Sequence, residues 1–196
     1  MLGLSTGLMY DNYISEVGWL RGDVLEDQPG FDSVRISSST SFLTSHTRSS
    51  GDYFVISFKI IVFDGGADLW GGQDAVRTRI KLTGSDQLFQ DIEQDTLTTF
   101  TKTHTWGDSG GSELNNYLNG LGPRFDITFR QNTDKPDAGA KVYVKDIDIK
   151  VYNSSDVLLD SYASNFTTST DGFVGVDIND DEETEFVLSF NQTAPI

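Results

Sequence analysis

The chain contains no cysteine, only two histidines and few basic residues. Without cysteine it forms no disulfide and supplies no thiolate as a nucleophile or metal ligand. Its 14 lysines and arginines stand against 30 aspartates and glutamates, so the formal net charge is −16. Such a surface repels a phosphate backbone, and we therefore expect no direct binding to nucleic acid.

Long apolar runs are also missing. No stretch approaches the length that crosses a bilayer, and the N-terminus lacks the basic-then-apolar order of a secretion signal. We therefore expect no membrane insertion and no export through a signal peptide. At 196 residues the chain is long enough for one good core with an appendage, or for two small units.

Alternating apolar residues predict an all-β protein. Residues 53–63 (YFVISFKIIVF) are apolar at every second position and mostly apolar on the other face, which is typical of a central strand. Threonine-rich residues 96–106 and alternating residues 124–130 favour further strands. Only residues 112–122 (SELNNYLNGLG) predict a short helix, with Ser112 as its N-cap.

The run at 141–152 (KVYVKDIDIKVY) changes phase in the middle. Val142 and Val144 share one face, whereas Ile147, Ile149 and Val151 occupy the other phase. A strand with one buried face can change phase only by inserting a residue. The pattern therefore predicts a β-bulge near residues 145–146.

Charge divides the chain near residue 153. Residues 146–196 hold one basic and eleven acidic residues, against 13 and 19 in the rest. We expect an N-terminal arm or first strand at 1–12, an antiparallel β-sandwich at 13–153 and an acidic, β-rich C-terminal segment at 154–196. A tail of this size makes a poor core alone. We favour a segment that binds a partner over an extension of the sheets, which remains the alternative.

The strands together resemble the jelly-roll sandwiches of carbohydrate-binding modules. The resemblance rests on the Trp-containing start Val17-Gly18-Trp19, the long strand at 53–63, the TTFTKTHTW run and the closing YVKDIDIKVY with its aspartate pair. It covers about three-quarters of the chain from residue 10 to residue 152. It implies a structural calcium ion, for which Asp11, Glu16 and Asp146 are the ligands to test; the alternative is a solvated or Lys/Arg-paired carboxylate.

Glycine-flanked tryptophans suggest a sugar platform, because flat aromatic faces stack on sugar rings. Trp70, Trp106 and Tyr117 are the candidate aromatics, with Asp74 and Asn116 as partners for hydroxyls. The alternative is packing in the core, in a loop or at a subunit interface. Trp19 is expected in the core.

Two short motifs resemble a catalytic site and a calcium site, but each lacks residues that its chemistry requires. Residues 107–111 spell GDSGG, the nucleophile signature of chymotrypsin-like proteases, but neither His46 nor His104 lies in a histidine motif that would supply the base. Residues 177–188 begin like an EF-hand loop, but Glu182 replaces the required glycine and Leu188 the terminal glutamate. We therefore expect a protein that is not an enzyme.

The small, glycine-rich opening MLGLSTGL resembles the starts of tailed-phage structural proteins. A virion protein needs no secretion signal, because it is assembled in the host cytoplasm. The first hypothesis is a capsid-decorating or tail-associated virion protein that binds other virion proteins or forms a homo-oligomer. The second is an extracellular carbohydrate-binding module that recognises a polysaccharide, and the two can coexist in a tail fibre. A polysaccharide-active enzyme is third, since no spacing singles out a carboxylate pair.

Overall fold

The computed structural model describes residues 16–25, 34–38, 49, 51–64, 70, 75–82, 87–105, 125–130, 136–177 and 186–195. Every regular element in these ranges is a β-strand. None of the described residues belongs to a helix long and apolar enough to cross a membrane. The arm predicted at 1–12 and the helix predicted at 112–122 lie outside the described residues.

Eleven strands are described, in the following chain order: β1 Trp19–Val24, β2 Val34–Ser38, β3 Tyr53–Phe63, β4 Ala75–Leu82, β5 Gln87–Glu93, β6 Thr98–Thr105, β7 Phe125–Arg130, β8 Lys141–Tyr152, β9 Leu158–Ser164, β10 Phe173–Asp177 and β11 Phe186–Gln192. They form two sheets. One is six-stranded, with the order β11-β1-β8-β3-β6 and β9 added to β8. The other is five-stranded, with the order β10-β2-β7-β4-β5, and all pairs of strands are antiparallel.

The two sheets share one hydrophobic core. Alternate residues of β3, such as Phe54, Ile56 and Phe58, meet residues of the five-stranded sheet such as Ile36 and Ile127 in the same buried cluster. Inward alternation on both sheets is what a two-layer β architecture requires. The predicted all-β, antiparallel, sandwich-like character is therefore confirmed.

The bulge in β8 is confirmed. Opposite β3, the register passes from Ser57 with Asp148 to Lys59 with Lys145, so β8 carries one extra residue. Asp146 has φ of 53°, in the left-handed region that aspartate tolerates better than most residues. The valines before the bulge and Ile147, Ile149 and Val151 after it are all buried in the shared core.

The acidic segment extends both sheets, which is the alternative that the sequence left open. β9 pairs with β8, β10 with β2 and β11 with β1, so each strand beyond residue 153 pairs with a strand before it. Phe186 is buried between two glycines: a Cβ at Gly22 would overlap its ring, and a Cβ at Gly175 its carbonyl oxygen. Whether this segment also binds a partner stays a prediction.

Candidate functional site

The six-stranded sheet has an outer face, opposite the core, that can be read from its register. Residues directly opposite one another in neighbouring antiparallel strands share a face. Beyond the bulge this face consists of three rows: Thr105, Tyr53, Tyr152 and Leu158; Thr103, Val55, Lys150 and Ser161; Thr101, Ser57, Asp148 and Ala163. We call these rows, with Lys59, Thr99 and Asp146 beside them, the polar platform.

The bulge separates the polar platform from an apolar half of the same face. In the apolar half, Trp19, Ile61, Tyr143 and Ala194 form a second buried cluster with Phe63 against it. On the platform, Thr99, Thr101 and Thr103 are exposed. Four adjacent strands about 4.8 Å apart, with rows about 6.8 Å apart, make a surface roughly 15 Å wide and 15–20 Å long. That area is large enough for several sugar rings or an extended peptide.

Two tyrosines form the aromatic end of the platform. The rings of Tyr53 and Tyr152 stack with centroids 5.3 Å apart and an interplanar angle of 19°. The Tyr53 hydroxyl donates a hydrogen bond of 2.8 Å to Asp156 Oδ1. This bond, with smaller contributions from burial and the Asp156 charge, raises the pKa of Tyr53, so the phenol stays neutral at ordinary pH. Leu158, 49% exposed, continues the apolar surface beside Tyr152.

The charges of the platform are paired with one another. Lys59 Nζ lies 2.9 Å from Asp146 Oδ2, and Lys150 forms an ion pair with Asp148. The hydrogen bonds to these carboxylates raise the pKa of both lysines, so both remain ammonium ions. Two positive and two negative groups leave the platform neutral within an acidic chain. Its chemistry is therefore hydrogen bonding through hydroxyls and paired charges, with tyrosine rings for stacking.

The predicted calcium ligands have ammonium partners where they are described. Asp146 is paired with Lys59, and Glu16 Oε2 lies 2.9 Å from Lys145 Nζ. Among the described residues, no group of three or more His, Asp or Glu side chains could hold a metal ion. Asp11 lies outside those residues. The calcium site stays a prediction, and the paired carboxylates are the alternative that the sequence named.

Trp70 lies in the core rather than on a sugar-binding surface. Its side chain is fully buried in the shared cluster, and Nε1 donates to the Phe63 carbonyl oxygen at 3.1 Å. A buried indole cannot stack on a sugar ring in this conformation, so Trp70 fits the alternative of packing in the core. The other candidates, Trp106, Tyr117, Asp74 and Asn116, lie outside the described residues. Trp19 is in the apolar half and fully buried, as predicted.

Sequence reasoning did not propose Tyr53 and Tyr152 for the site. Both belong to strands that it identified, in the phase opposite to the apolar face, so their outward direction was readable. Their pairing was not, because it depends on the register between two strands that are far apart in the sequence.

No protein-family model and no curated protein matches this chain. The fold and the surface together define an antiparallel, β-sandwich-like protein with a neutral, hydroxyl-rich platform on one sheet.

Proposed function

We propose that the chain is a non-enzymatic jelly-roll protein that assembles into a virion, as a capsid-decorating or tail-associated component. The observation that carries the jelly roll is the strand order. The first eight strands alternate as β1-β8-β3-β6 in one sheet and β2-β7-β4-β5 in the other. An eight-stranded, double-sheet arrangement of two Greek keys is the jelly roll of viral capsid and lectin domains. The step from this order to a virion is an analogy of fold, supported by the resemblance of the opening residues.

Assembly would use sheet edges and exposed apolar residues. In the described part of the chain, the edge strands of the six-stranded sheet are β6, β9 and β11, and those of the five-stranded sheet are β5 and β10. Edge strands offer backbone groups for strand addition. Phe190 on β11 and Val174 on β10 are 43% and 45% exposed, and both lie on these outer strands. They are suitable anchors for other virion proteins or for further copies of the chain.

Analysis of purified particles tests the assembly function. Particles of the virus that encodes the chain, separated from free protein by density gradient, should contain the chain at a fixed copy number, and antibodies against it should label one structure of the particle. Release of the protein by mild salt would identify a decorating component. A chain abundant in infected cells but absent from purified particles would refute the virion assignment.

A second candidate function, polysaccharide recognition, is favoured by the polar platform. It combines stacked tyrosines, exposed threonine hydroxyls and paired charges on one flat face, which are the groups that bind sugar rings and hydroxyls. Among the predicted aromatics Trp70 is buried, and Trp106 and Tyr117 lie outside the described residues, whereas Tyr53 and Tyr152 stack on the outer face of the sheet. Such a surface could act in an extracellular module or in a tail fibre that reads a host polysaccharide.

A glycan array with matched variants tests this candidate. Tyr53→Ala and Tyr152→Ala should each weaken binding by about tenfold, because a stacked aromatic contributes about 0.5–1.5 kcal/mol beyond its buried area. Phe190→Ala is the control, since it removes an exposed aromatic ring from β11, away from the platform. Binding that is lost equally in all three variants, or retained in both tyrosine variants, would exclude the platform as the glycan site.

A further inference from the structure

Two ion pairs lie on the polar platform, and both are open to solvent. Lys59 Nζ lies 2.9 Å from Asp146 Oδ2, and Lys150 is paired with Asp148. The four side chains are between 37% and 42% exposed, so a ligand can reach each of them. An ammonium group has three donors and a carboxylate has about four acceptor sites, and the pairing uses one of each. Each pair therefore presents a donor and an acceptor side by side.

A vicinal diol is a ligand group that matches such a pair. Its two hydroxyls are bonded to adjacent carbon atoms, so their oxygens are about as far apart as two hydrogen-bonded atoms. One hydroxyl can donate to the carboxylate while the other accepts from the ammonium group, and the ion pair itself stays intact. Hydrogen bonds to charged groups are stronger than those between neutral partners. An isolated hydroxyl would have to bridge both charged groups with a single oxygen atom.

The surroundings of the second pair suit a sugar chain. Asp148, Lys150 and Tyr152 are alternate residues of β8, so a chain lying along β8 would meet the ion pair and the aromatic ring in turn. The hydroxyls of Ser57 and Thr101, in the same row as Asp148, lie 3.3 Å apart and can each donate or accept. Further sugar hydroxyls therefore find partners on both sides of the pair.

Charge separates neutral from acidic polysaccharides at this site. Both ammonium groups are held by carboxylates of the chain, so a ligand carboxylate or sulfate would have to compete with these carboxylates. The whole chain carries a formal net charge of −16, which repels a polyanion as it approaches. A neutral polysaccharide avoids both costs, because its hydroxyls add to the pairs without replacing either partner.

We propose that the polar platform binds a neutral polysaccharide through vicinal diols of its sugar units, which the pairs Lys59–Asp146 and Lys150–Asp148 hold. The inference rests on the proposed recognition of a polysaccharide and names the class of glycan that the site selects. Hexopyranose units linked 1,4 or 1,6 keep adjacent hydroxyls all along the chain, whereas a 1,3-linked glucan has them only at its ends. The linkage of the polysaccharide therefore decides whether it binds.

Each pair can be removed without a change in net charge. The first pair variant carries Asp148→Val and Lys150→Met. The second carries Lys59→Met and Asp146→Gly, because glycine adopts the φ of 53° at residue 146 without strain and keeps the bulge. Both variants leave the two tyrosines of the platform in place, so they test the diol contacts and not the aromatic stacking.

An ion pair elsewhere in the same sheet supplies the matched control. Arg21 Nε lies 2.7 Å from Asp23 Oδ2, and the two residues are alternate positions of β1, as Asp148 and Lys150 are of β8. β1 pairs with the part of β8 that precedes the bulge, so this ion pair lies outside the polar platform. The variant Arg21→Met with Asp23→Val therefore makes the same chemical change away from the proposed site.

Calorimetric titration with defined polymers measures the outcome. The wild type and the control variant should bind at least one of soluble 1,4-linked glucan, 1,4-linked mannan and 1,6-linked glucan. Periodate cleaves the carbon–carbon bond of a vicinal diol, so the same polymer should bind at least about tenfold more weakly after oxidation. The 1,3-linked glucan and polygalacturonate should also bind at least about tenfold more weakly. Each pair variant should raise the Kd of the untreated polymer about tenfold, because bonds to two charged groups are lost.

Three results would overturn the proposal. These are a wild type that binds none of the three diol-bearing neutral polymers, binding that survives periodate oxidation, and pair variants that bind like the wild type. Circular dichroism of each variant checks folding, and the periodate comparison on the wild type decides the matter if a pair variant does not fold. Binding of 1,3-linked glucan or polygalacturonate instead, lost in Tyr53→Ala, would overturn the diol contacts and leave polysaccharide recognition standing. A chain that binds no polysaccharide on the glycan array would remove both.

Discussion

Deletion of Asp146 tests the reasoning on which the fold depends most. The deletion removes the extra residue of the bulge and leaves every core side chain in the chain. Without that residue, β8 can stay in register with β3 on only one side of position 146. Either Val142 and Val144, or Ile147, Ile149 and Val151, must then turn away from the core.

The expected loss of folding stability follows from the side chains that the deletion would expose. Val142 and Val144 are fully buried, and burial of such a side chain contributes about 1.5–3 kcal/mol. Turning out the two valines, the smaller of the two sets, therefore costs about 3–6 kcal/mol. Tyr143 and Lys145 would also be directed into the core, which adds to the cost. A domain of ordinary stability has about 5–15 kcal/mol in total, so the deletion should remove a large fraction of it.

Asp146→Gly is the matched control. Glycine adopts a φ of 53° without strain and keeps the bulge. The variant loses the ion pair with Lys59, in which both side chains are about two-fifths exposed, and such pairs contribute only about 0–1 kcal/mol. Urea unfolding followed by tryptophan fluorescence reports both variants, because Trp19 and Trp70 are buried. Equal unfolding midpoints for the deletion and for Asp146→Gly would refute this account of the bulge.

Three further predictions follow from the same contacts. Truncation after Asn153 should abolish cooperative thermal unfolding, because it removes three paired strands and the buried side chains of Phe166, Phe173 and Phe186. A truncated chain that still unfolds in a sharp transition would show that the C-terminal segment is separable from the rest of the fold. Burial, with the charge of Asp171, raises the pKa of Tyr162 to about 12, whereas the unfolded phenol ionises near about 10. The folded state therefore retains a proton that the unfolded state loses, and the free energy of unfolding should fall as pH rises from about 10 to about 12. Urea titrations across this pH range should show a smaller fall in the free energy of unfolding for Tyr162→Phe than for the wild type. Chelator should leave the melting temperature unchanged if Glu16 and Asp146 act only in ion pairs, while a fall that added calcium reverses would establish the predicted ion.

Periodicity within one strand was enough to predict the features that depend on one strand. The apolar alternation of β3 and the phase change of β8 are properties of a dozen consecutive residues, and both are present in the structure. The fold class follows from the same evidence, since repeated period-2 patterns exclude a helical architecture. The candidate site depends on which strands are neighbours, and periodicity carries no information about that.

The acidic segment shows that composition does not predict how a segment packs. Its carboxylates Asp156 and Asp171 are exposed, whereas Phe166, Phe173 and Phe186 of the same segment are as buried as any residue in the core. A charge boundary therefore does not mark a packing boundary. Trp70 gives a second example. The glycines around it suggest a loop, but they do not reveal that its ring is buried and that its Nε1 donates a hydrogen bond to the carbonyl oxygen of Phe63.

The bulge in β8 also connects the fold to the candidate site. β1 pairs with residues 141–144 and β9 with residues 147–152, and both lie on the side of β8 away from β3, so the bulge marks the junction between them. Lys145 is buried at this junction, where its Nζ binds Glu16 and the Val17 carbonyl oxygen and lies 5.9 Å from the centre of the Trp19 ring. On one side of the junction the outer face carries the buried cluster of Trp19, Ile61, Tyr143 and Ala194, and on the other side it is the polar platform. One inserted residue therefore keeps the core in phase, separates β1 from β9 and sets where the polar platform begins.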